Sequence, residues 1–464
     1  MDVIVILAAL AFLIFMAYRG FSVIIFAPIA ALGAILLTEP AAVAPAYFAI
    51  FLEKVAMFVK NFFPVFLLGA LFGKLIEISG NSRAISAALI RLVGSHRAVL
   101  VIVLACAILT YGGVSLNVVV FAVYPFAAEL FRQGQIPKRL IPGAIALGAF
   151  TFTMDSLPGS PQIQNIIPTT FFQTSTWAAP WLGTIGGVMI FAAGMLYLES
   201  RRRAALRAGE GYGTGHINEP LPADPNEKLS HPLIALLPLI VVCVVNFYLI
   251  RLIPQLYGDK YSLSIGGMVA PVVIDIKTYA AVWSVLGGLL AGIITLMLTR
   301  GHVILPKFAE GSKAAAGGSI LAAMNSATEY GFGAVMAILP GFVVAAAALK
   351  AIPDPLLNEA ISITVLSALT GSAIAGLSIA LGAMAETFIA SAHAAGIPLE
   401  VFHRIASMAS GGMDTLPHNG AVITLLIVCG LTHRQSYGDI FAITIIKTLV
   451  AGLAIVLFYT TGIV

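Results

Sequence analysis

Between Leu140 and Leu198 the chain carries a single charged residue, Asp155. A membrane-spanning helix needs about 20 predominantly apolar residues, so this stretch alone is long enough to cross a bilayer twice. Comparable runs recur along the whole chain. Of 464 residues, 59% are hydrophobic and 10% charged, with a mean hydropathy of +1.00. A soluble domain carries roughly a quarter charged residues, and buried core helices cannot absorb so many apolar runs. The sequence therefore predicts an all-α polytopic membrane protein. Cys106, Cys243 and Cys429 are scattered without paired spacing, so neither a disulfide framework nor a metal site follows. The net charge of +4 is small and its basic residues lie at span ends, so nucleic acid is not implied as a partner. Val3–Phe15 lacks a basic leader and a cleavage site, and reads as a retained helix.

Two strings repeat. Met154-Asp155-Ser156-Leu157-Pro158 returns 259 positions later as Met413-Asp414-Thr415-Leu416-Pro417. Each is preceded by an Ile-Pro pair, Ile136-Pro137 and Ile397-Pro398, and earlier by a break rich in Gly and hydroxyl residues. The first break runs from Thr110 to Asn117 and the second from Thr370 to Ser378. The same landmarks in the same order indicate a duplication. Residues 1–207 form one repeat and 231–464 the other, joined by a polar linker at 208–230. Basic residues of short loops mark the cytoplasmic side. Arg201, Arg202, Arg203 and Arg207 anchor it at the linker. Arg91 and Arg97 precede the first Gly-rich break, and Arg132, Lys138 and Arg139 follow it, so residues 98–131 read as a re-entrant hairpin. The loop 391–403 after the second hairpin (357–390) holds Glu400 and no Lys or Arg, which predicts an inverted second repeat. Spans near 3–18, 21–38, 61–79, a broken 140–174 and 178–198 give five crossings. The second copy follows with 231–254, 276–299, 327–350, a broken 405–430 and 440–463, placing both termini outside. Segments 43–60 and 306–324 are less apolar and read as interfacial.

Irregular backbone survives in a bilayer only where protein or a polar cavity satisfies it. The hairpin tips and the Asp-(Ser/Thr)-Leu-Pro breaks are such places. Pro158 and Pro417 remove a backbone donor and stop the helix. Half-helices that begin there turn their positive N-terminal ends toward the midplane, an arrangement suited to an anion. Candidate substrate-binding residues are Thr110, Gly112, Gly113, Ser115, Asn117, Ser156, Gly159, Ser160 and Gln162 in the first half, with Gln164 and Asn165 beside them. In the second half they are Thr370, Gly371, Ser372, Ser378, Thr415, His418 and Asn419. None of the breaks contains Lys or Arg, which points to a small carboxylate monoanion rather than a dicarboxylate or phosphate. Ser and Thr also bond back to helix carbonyls, so part of this set is structural.

Asp155, Asp414, Glu329 and Glu386 interrupt runs free of other charge, and intramembrane carboxylates mark transport or proton pathways by default. Asp155 and Asp414 could alternatively cap the half-helices that follow them. His418 gives Asp414 a titratable neighbour, so Asp414 is expected to carry the proton and Asp155 to be structural; Glu386 is the next candidate. No nucleotide-binding loop, zinc-protease helix or nucleophile elbow is present, and no cofactor is expected. An enzyme is not implied, although Asp155 and Asp414 could in principle meet as an aspartyl pair.

The two Asp-(Ser/Thr)-Leu-Pro strings, the Thr-x-Gly-Gly break and the paired halves resemble the gluconate permease family of bacterial proton symporters over almost the whole chain. The resemblance implies a bacterial inner-membrane homodimer, each subunit with a fixed scaffold and a transport domain that moves as an elevator. It also implies sugar acids or small hydroxy and keto acids as substrates. The string Asp155-Ser156-Leu157-Pro158-Gly159-Ser160-Pro161-Gln162 resembles the branch associated with 3-hydroxybutyrate or acetoacetate. Val114, Leu116 and Val118 would suit a methyl end.

Overall fold

A computed structural model describes residues 2–19, 21–94, 97–114, 116–219, 229–264, 271–341, 352–417 and 419–464. Two apolar helices open the chain, α1 (Asp2–Tyr18) and α2 (Val23–Thr38). A continuous helical run, α3 (Pro40–Ile78), passes through a short π-helical stretch at Tyr47–Leu52. After α4 (Asn81–Val93) come the arms of a hairpin, α5 (Ala98–Tyr111) and α6 (Leu116–Gln133). The next crossing is in pieces, α7 (Ile141–Ala149), α8 (Phe152–Asp155) and α9 (Ile163–Phe172), and α10 (Pro180–Arg207) closes the first half. The second half follows a similar order, with no counterpart of α4 or α8 among the described residues. It comprises α11 (Pro232–Tyr257), α12 (Ile276–Ile338), the hairpin arms α13 (Pro355–Thr370) and α14 (Ala373–Ala395), the pieces α15 (Leu399–Ser410) and α16 (Gly420–Cys429), and α17 (His433–Thr461). A small antiparallel ribbon, β1 (Lys260–Leu263) against β2 (Val272–Asp275), pairs Lys260 with Asp275 and stands outside the bundle.

The breaks form where the sequence places turn formers inside apolar runs. Gly371 ends α13 in the left-handed conformation at φ +64°, and the next residue, Ser372, caps α14 by accepting from Ala375 N at 3.2 Å. Asn419 caps α16 in the same way, accepting from Val422 N at 2.8 Å. Such caps satisfy backbone donors that lipid cannot.

α3 and the second part of α12 are the long supports of the bundle. α12 bends at Arg300, which leaves the helical region (φ −132°), and 301–338 continues without a break. At 1.5 Å per residue, α3 and this segment each span nearly 60 Å, about twice the hydrocarbon thickness. The two run antiparallel: Gly331 packs on the carbonyl of Phe51 and Gly311 on the end of Ile78. The expected division into an interfacial segment and a separate span, 43–60 before 61–79 and 306–324 before 327–350, is therefore replaced by one long helix in each half. Charges such as Glu53, Lys54 and Lys60 lower the local hydropathy but leave the helix unbroken. Residues 342–350 of the expected 327–350 span lie outside the described residues.

The described part of the expected linker is not a loose tether. Residues 210–219 fold back onto the first hairpin. Lys138, wholly buried, donates to Glu219 Oε1 at 2.7 Å and to the Ile217 carbonyl at 2.9 Å, and Arg132 also pairs with Glu219. Burial pushes the Glu219 carboxyl up, but hydrogen bonds from Lys138, Arg132 and Tyr212 outweigh it and hold the group below the ordinary glutamate range. A depressed folded-state pKa means the stabilisation is present at neutral pH and is lost as pH falls through that value. The docked segment should thus resist an acid-tolerant protease at pH 5 and be cut between Tyr212 and Glu219 only below about pH 4. Cutting at both pH values would show that the ion pairs do not hold it.

Large apolar side chains stand exposed along α1, α2, α10, α11, α12 and α17, among them Leu37, Leu196, Leu233 and Leu298. Among the described residues six helices are long and apolar enough to cross a bilayer. An outer surface of this kind is matched by lipid rather than water.

Candidate substrate site

The broken crossings lie against the hairpin tips, one amide clamping each. Gln162 Nε2 donates to the Thr110 carbonyl at 2.6 Å, and Asn419 Nδ2 donates to the Gly371 carbonyl at 2.6 Å. Tyr111 adds a bond from its hydroxyl to the Pro158 carbonyl at 2.8 Å. The two breaks also meet each other. A Cβ on Gly411 would lie 1.9 Å from Asp155 Oδ2, so a side chain there would displace the Asp155 carboxylate.

A cavity of about 610 Å³ opens between these breaks and the long helices. Its wall includes the first turns of four helices. Leu116 comes from α6, Gln162 to Gln164 from the start of α9, Ser372 to Ile374 from that of α14, and Asn419 and Ala421 from that of α16. Helix first turns carry unpaired N–H groups and the positive end of the helix dipole. Asp414 and Thr415 complete the polar side. Val65, Phe66, Phe121, Phe150 and Met154 supply an apolar one, and Ser319 a hydroxyl from α12. The cavity shares Lys74, Glu77, Phe121 and Ala314 with a larger one of about 1220 Å³. That outer cavity is walled by Arg83, Glu129, Gln133, Lys307 and Glu310, on the side of the basic loops. Toward the other end of the long helices the rings of Phe58, Tyr330 and Phe171 pack together, with centroids 5.8 and 6.3 Å apart.

Of the residues singled out from sequence, Gly113, Gln162, Gln164, Ser372, Asp414, Thr415 and Asn419 line this cavity. Others stand behind it. Gly112 packs on Leu239, and Thr110 is buried with its carbonyl in the Gln162 clamp. Ser160 donates to the Thr153 carbonyl at 2.7 Å, and Asn165 bonds the Ser160 and Thr176 carbonyls. Gly159, at φ +76°, faces Trp177 so closely that a Cβ would lie 2.4 Å from the ring. Thr370 bonds back to Leu366, and Ser378 is buried further along α14. Val114 is buried, and Leu116 reaches the wall. Glu386 is exposed on α14 and Glu329 half-buried in α12. Ser115 and His418 lie outside the described residues, as do the side chains of Asn117 and Val118.

Two expectations are corrected. Asp155 and Asp414 do not cap the half-helices after them. α9 has Gln162 at its N-cap and α16 has Asn419, while Asp155 accepts from the Ser156 hydroxyl at 2.7 Å. The breaks, moreover, are not without cations. Lys447 of α17 is buried and its ammonium bonds Asp414 Oδ1 and, at 3.0 Å, the Phe150 carbonyl. Arg404 of α15 is wholly buried behind the first break. It donates to the carbonyls of Ala178, Thr176 and Asp155 and to Asn165 Oδ1. Thr415 is tied to Thr444, and its carbonyl accepts from Tyr437. Lys447 stands in an otherwise uncharged apolar run, a signal that could have found it. Glu359 of α13, buried with neither carboxylate oxygen bonded among the described residues, was also missed, because a position one turn from Pro355 reads as a span end.

No known protein-family signature matches the chain. It is 53% identical to the uncharacterized transporter YxjC of Bacillus subtilis (strain 168), with all of both chains covered. The chain belongs to the family of this transporter. Like YxjC it is a transporter rather than an enzyme, and its apolar helices make it a multi-pass membrane protein. A crystal structure of the Alcanivorax borkumensis YdaH transporter, described as revealing an unusual topology, is 15% identical with a TM-score of 0.47, over 90% of this chain and 88% of that one.

Proposed function

We propose that the chain is a proton-coupled secondary transporter for a small hydroxy-monocarboxylate such as 3-hydroxybutyrate in a bacterial inner membrane. The observation that carries this reading is the convergence of four helix N-termini on one cavity with an apolar far wall. Oriented backbone N–H groups and helix dipoles favour an anion, and the apolar wall favours a short aliphatic end. Lys447 is matched by Asp414, so no unbalanced cation waits for a second substrate charge. Asp414 is the proton-carrying group, and Asp155, held by Ser156 away from the cavity wall, is structural.

Residues 1–207 and 231–464 are two inverted repeats joined at 208–230. The antiparallel long helices and the similar element order support this reading. The hairpins and broken helices form a transport domain that moves as an elevator against a scaffold built on α3 and α12, within a homodimer whose termini face the periplasm. The outer cavity on the basic side, larger than the one of about 320 Å³ among Phe58, Phe171 and Tyr330 at the other end, supports a cytoplasm-facing arrangement.

Purified protein in detergent tests the substrate class by thermal shift against 3-hydroxybutyrate, acetoacetate, lactate, glycerate and gluconate. The cavity volume admits a six-carbon sugar acid, so gluconate is the rival to beat. A ligand at 100 times its dissociation constant stabilises by about 2.7 kcal/mol. A rise with hydroxybutyrate or acetoacetate supports the reading. A rise only with gluconate moves the assignment to sugar acids, and no rise with any acid removes the carboxylate site.

A further inference from the structure

Asp414 stands between the cavity and Lys447. The carboxylate is part of the cavity wall, whereas the Lys447 side chain is 1% exposed and, among the described residues, hydrogen-bonds Asp414 and the Phe150 carbonyl. Phe150 lines the same cavity, so the ammonium lies one side chain beneath the wall. Resting on the carboxylate-symport reading, we infer that Lys447 is the cation of the substrate site and that Asp414 is its exchangeable counterion. Protonation of Asp414 releases the ammonium, and the substrate carboxylate takes the place that Asp414 gives up.

Charge balance in a buried site drives the exchange. With Asp414 ionised, it and Lys447 sum to zero. An anion entering then would leave one uncompensated negative charge away from water, which is strongly unfavourable. If a proton from the medium forms an O–H bond on the Asp414 carboxylate as the anion arrives, Lys447 pairs with the substrate and the sum is again zero. Proton and anion therefore enter together and leave together, one of each, and transport is electroneutral.

The surrounding charges are consistent with this role for Lys447. Asp155 of α8 lies within electrostatic reach of both Lys447 and Asp414 and is hydrogen-bonded by Ser156. Arg404 of α15 is committed to the Ala178, Thr176 and Asp155 carbonyls and to Asn165, and its neighbour His403 bonds Thr174 and Asn165. On α17, Tyr437 donates to the Thr415 carbonyl, and Asp439 is paired with Arg201 and Arg139. Across the cavity Lys74 and Glu77 neutralise each other at 3.0 Å. Lys74 and its partner Glu77 both line the cavity, whereas Lys447 is held behind the wall by a lining carboxylate, Asp414.

The test uses the full chain in weakly buffered detergent, with potassium 3-hydroxybutyrate as probe and a pH dye as readout. Binding to the wild type should take up about one proton per acid bound and weaken as pH rises. Asp414→Asn should bind with no proton uptake and little dependence on pH, because its Lys447 is permanently released. Lys447→Met should weaken binding about tenfold or more. Because that variant leaves Asp414 buried without a partner, the double variant Asp414→Asn, Lys447→Met is measured beside it and should bind as weakly. Proton uptake persisting in Asp414→Asn, or near-native affinity in the double variant, would overturn the exchange while leaving the carboxylate reading intact. If the wild type binds none of the five acids, the carboxylate reading itself fails, and the exchange with it.

Discussion

Arg404→Met is expected to destabilise the protein by about 3–5 kcal/mol, enough to prevent its recovery as a monodisperse species in detergent. The guanidinium reaches the Ala178 carbonyl at 2.8 and 3.1 Å, Asn165 Oδ1 at 2.9 Å, and the Asp155 and Thr176 carbonyls at 3.3 Å. These acceptors belong to the first break and to the turn before α10, where the chain has no helical partner to offer them. Methionine fills a similar volume but donates nothing, so four buried oxygens lose a donor together; Asn165 Oδ1 keeps His403, and the Thr176 carbonyl keeps Asn165 Nδ2 and the Gly159 N–H. Lysine keeps the charge without the planar fork and cannot reach all four, so Arg404→Lys should fall between. Melting in detergent, followed by size-exclusion chromatography, measures the series. A Met variant within about 1 kcal/mol of the wild type would mean that the break holds itself together without Arg404.

A disulfide between α12 and α14 should arrest transport. An ideal Cβ at Gly333 lies 3.0 Å from the Ile379 Cα, close enough for cysteines at both positions to bridge after a small adjustment. If α14 travels with the hairpin while α12 stays with the scaffold, this contact must break in every cycle. Uptake by Gly333→Cys, Ile379→Cys should fall to background on oxidation and return on reduction, with either single variant unaffected by the oxidant. Full activity of the cross-linked protein would show that the two helices keep their contact throughout, and the elevator reading would have to be replaced.

The hairpins and the broken crossings were legible because proline, glycine and hydroxyl residues inside apolar runs leave a helix no way to continue. Gly112-Gly113, Gly371-Ser372 and the two Asp-(Ser/Thr)-Leu-Pro strings all fall where α5, α13, α8 and α15 stop. The long helices were not legible. Hydropathy falls at Glu53, Lys54 and Lys60, and that fall looks like a membrane boundary although the backbone runs on as helix. Side-chain pairing was hidden for a different reason. Lys447 meets Asp414 across two helices, and Arg404 meets Ala178 from the other half of the chain. A local reading of each break could count only the residues inside it. The same limit produced the capping expectation for the two aspartates, since a carboxylate before a half-helix looks like a cap until Gln162 and Asn419 are seen in that position.

Uptake into proteoliposomes decides whether the cavity works as a carboxylate site. Labelled 3-hydroxybutyrate is presented outside, with the interior made alkaline and the membrane potential clamped at zero. The account predicts accumulation above the external concentration, collapse on addition of a protonophore, and no accumulation by Asp414→Asn. Accumulation that ignores the pH gradient, or a folded wild-type protein that moves none of the five acids, would contradict it.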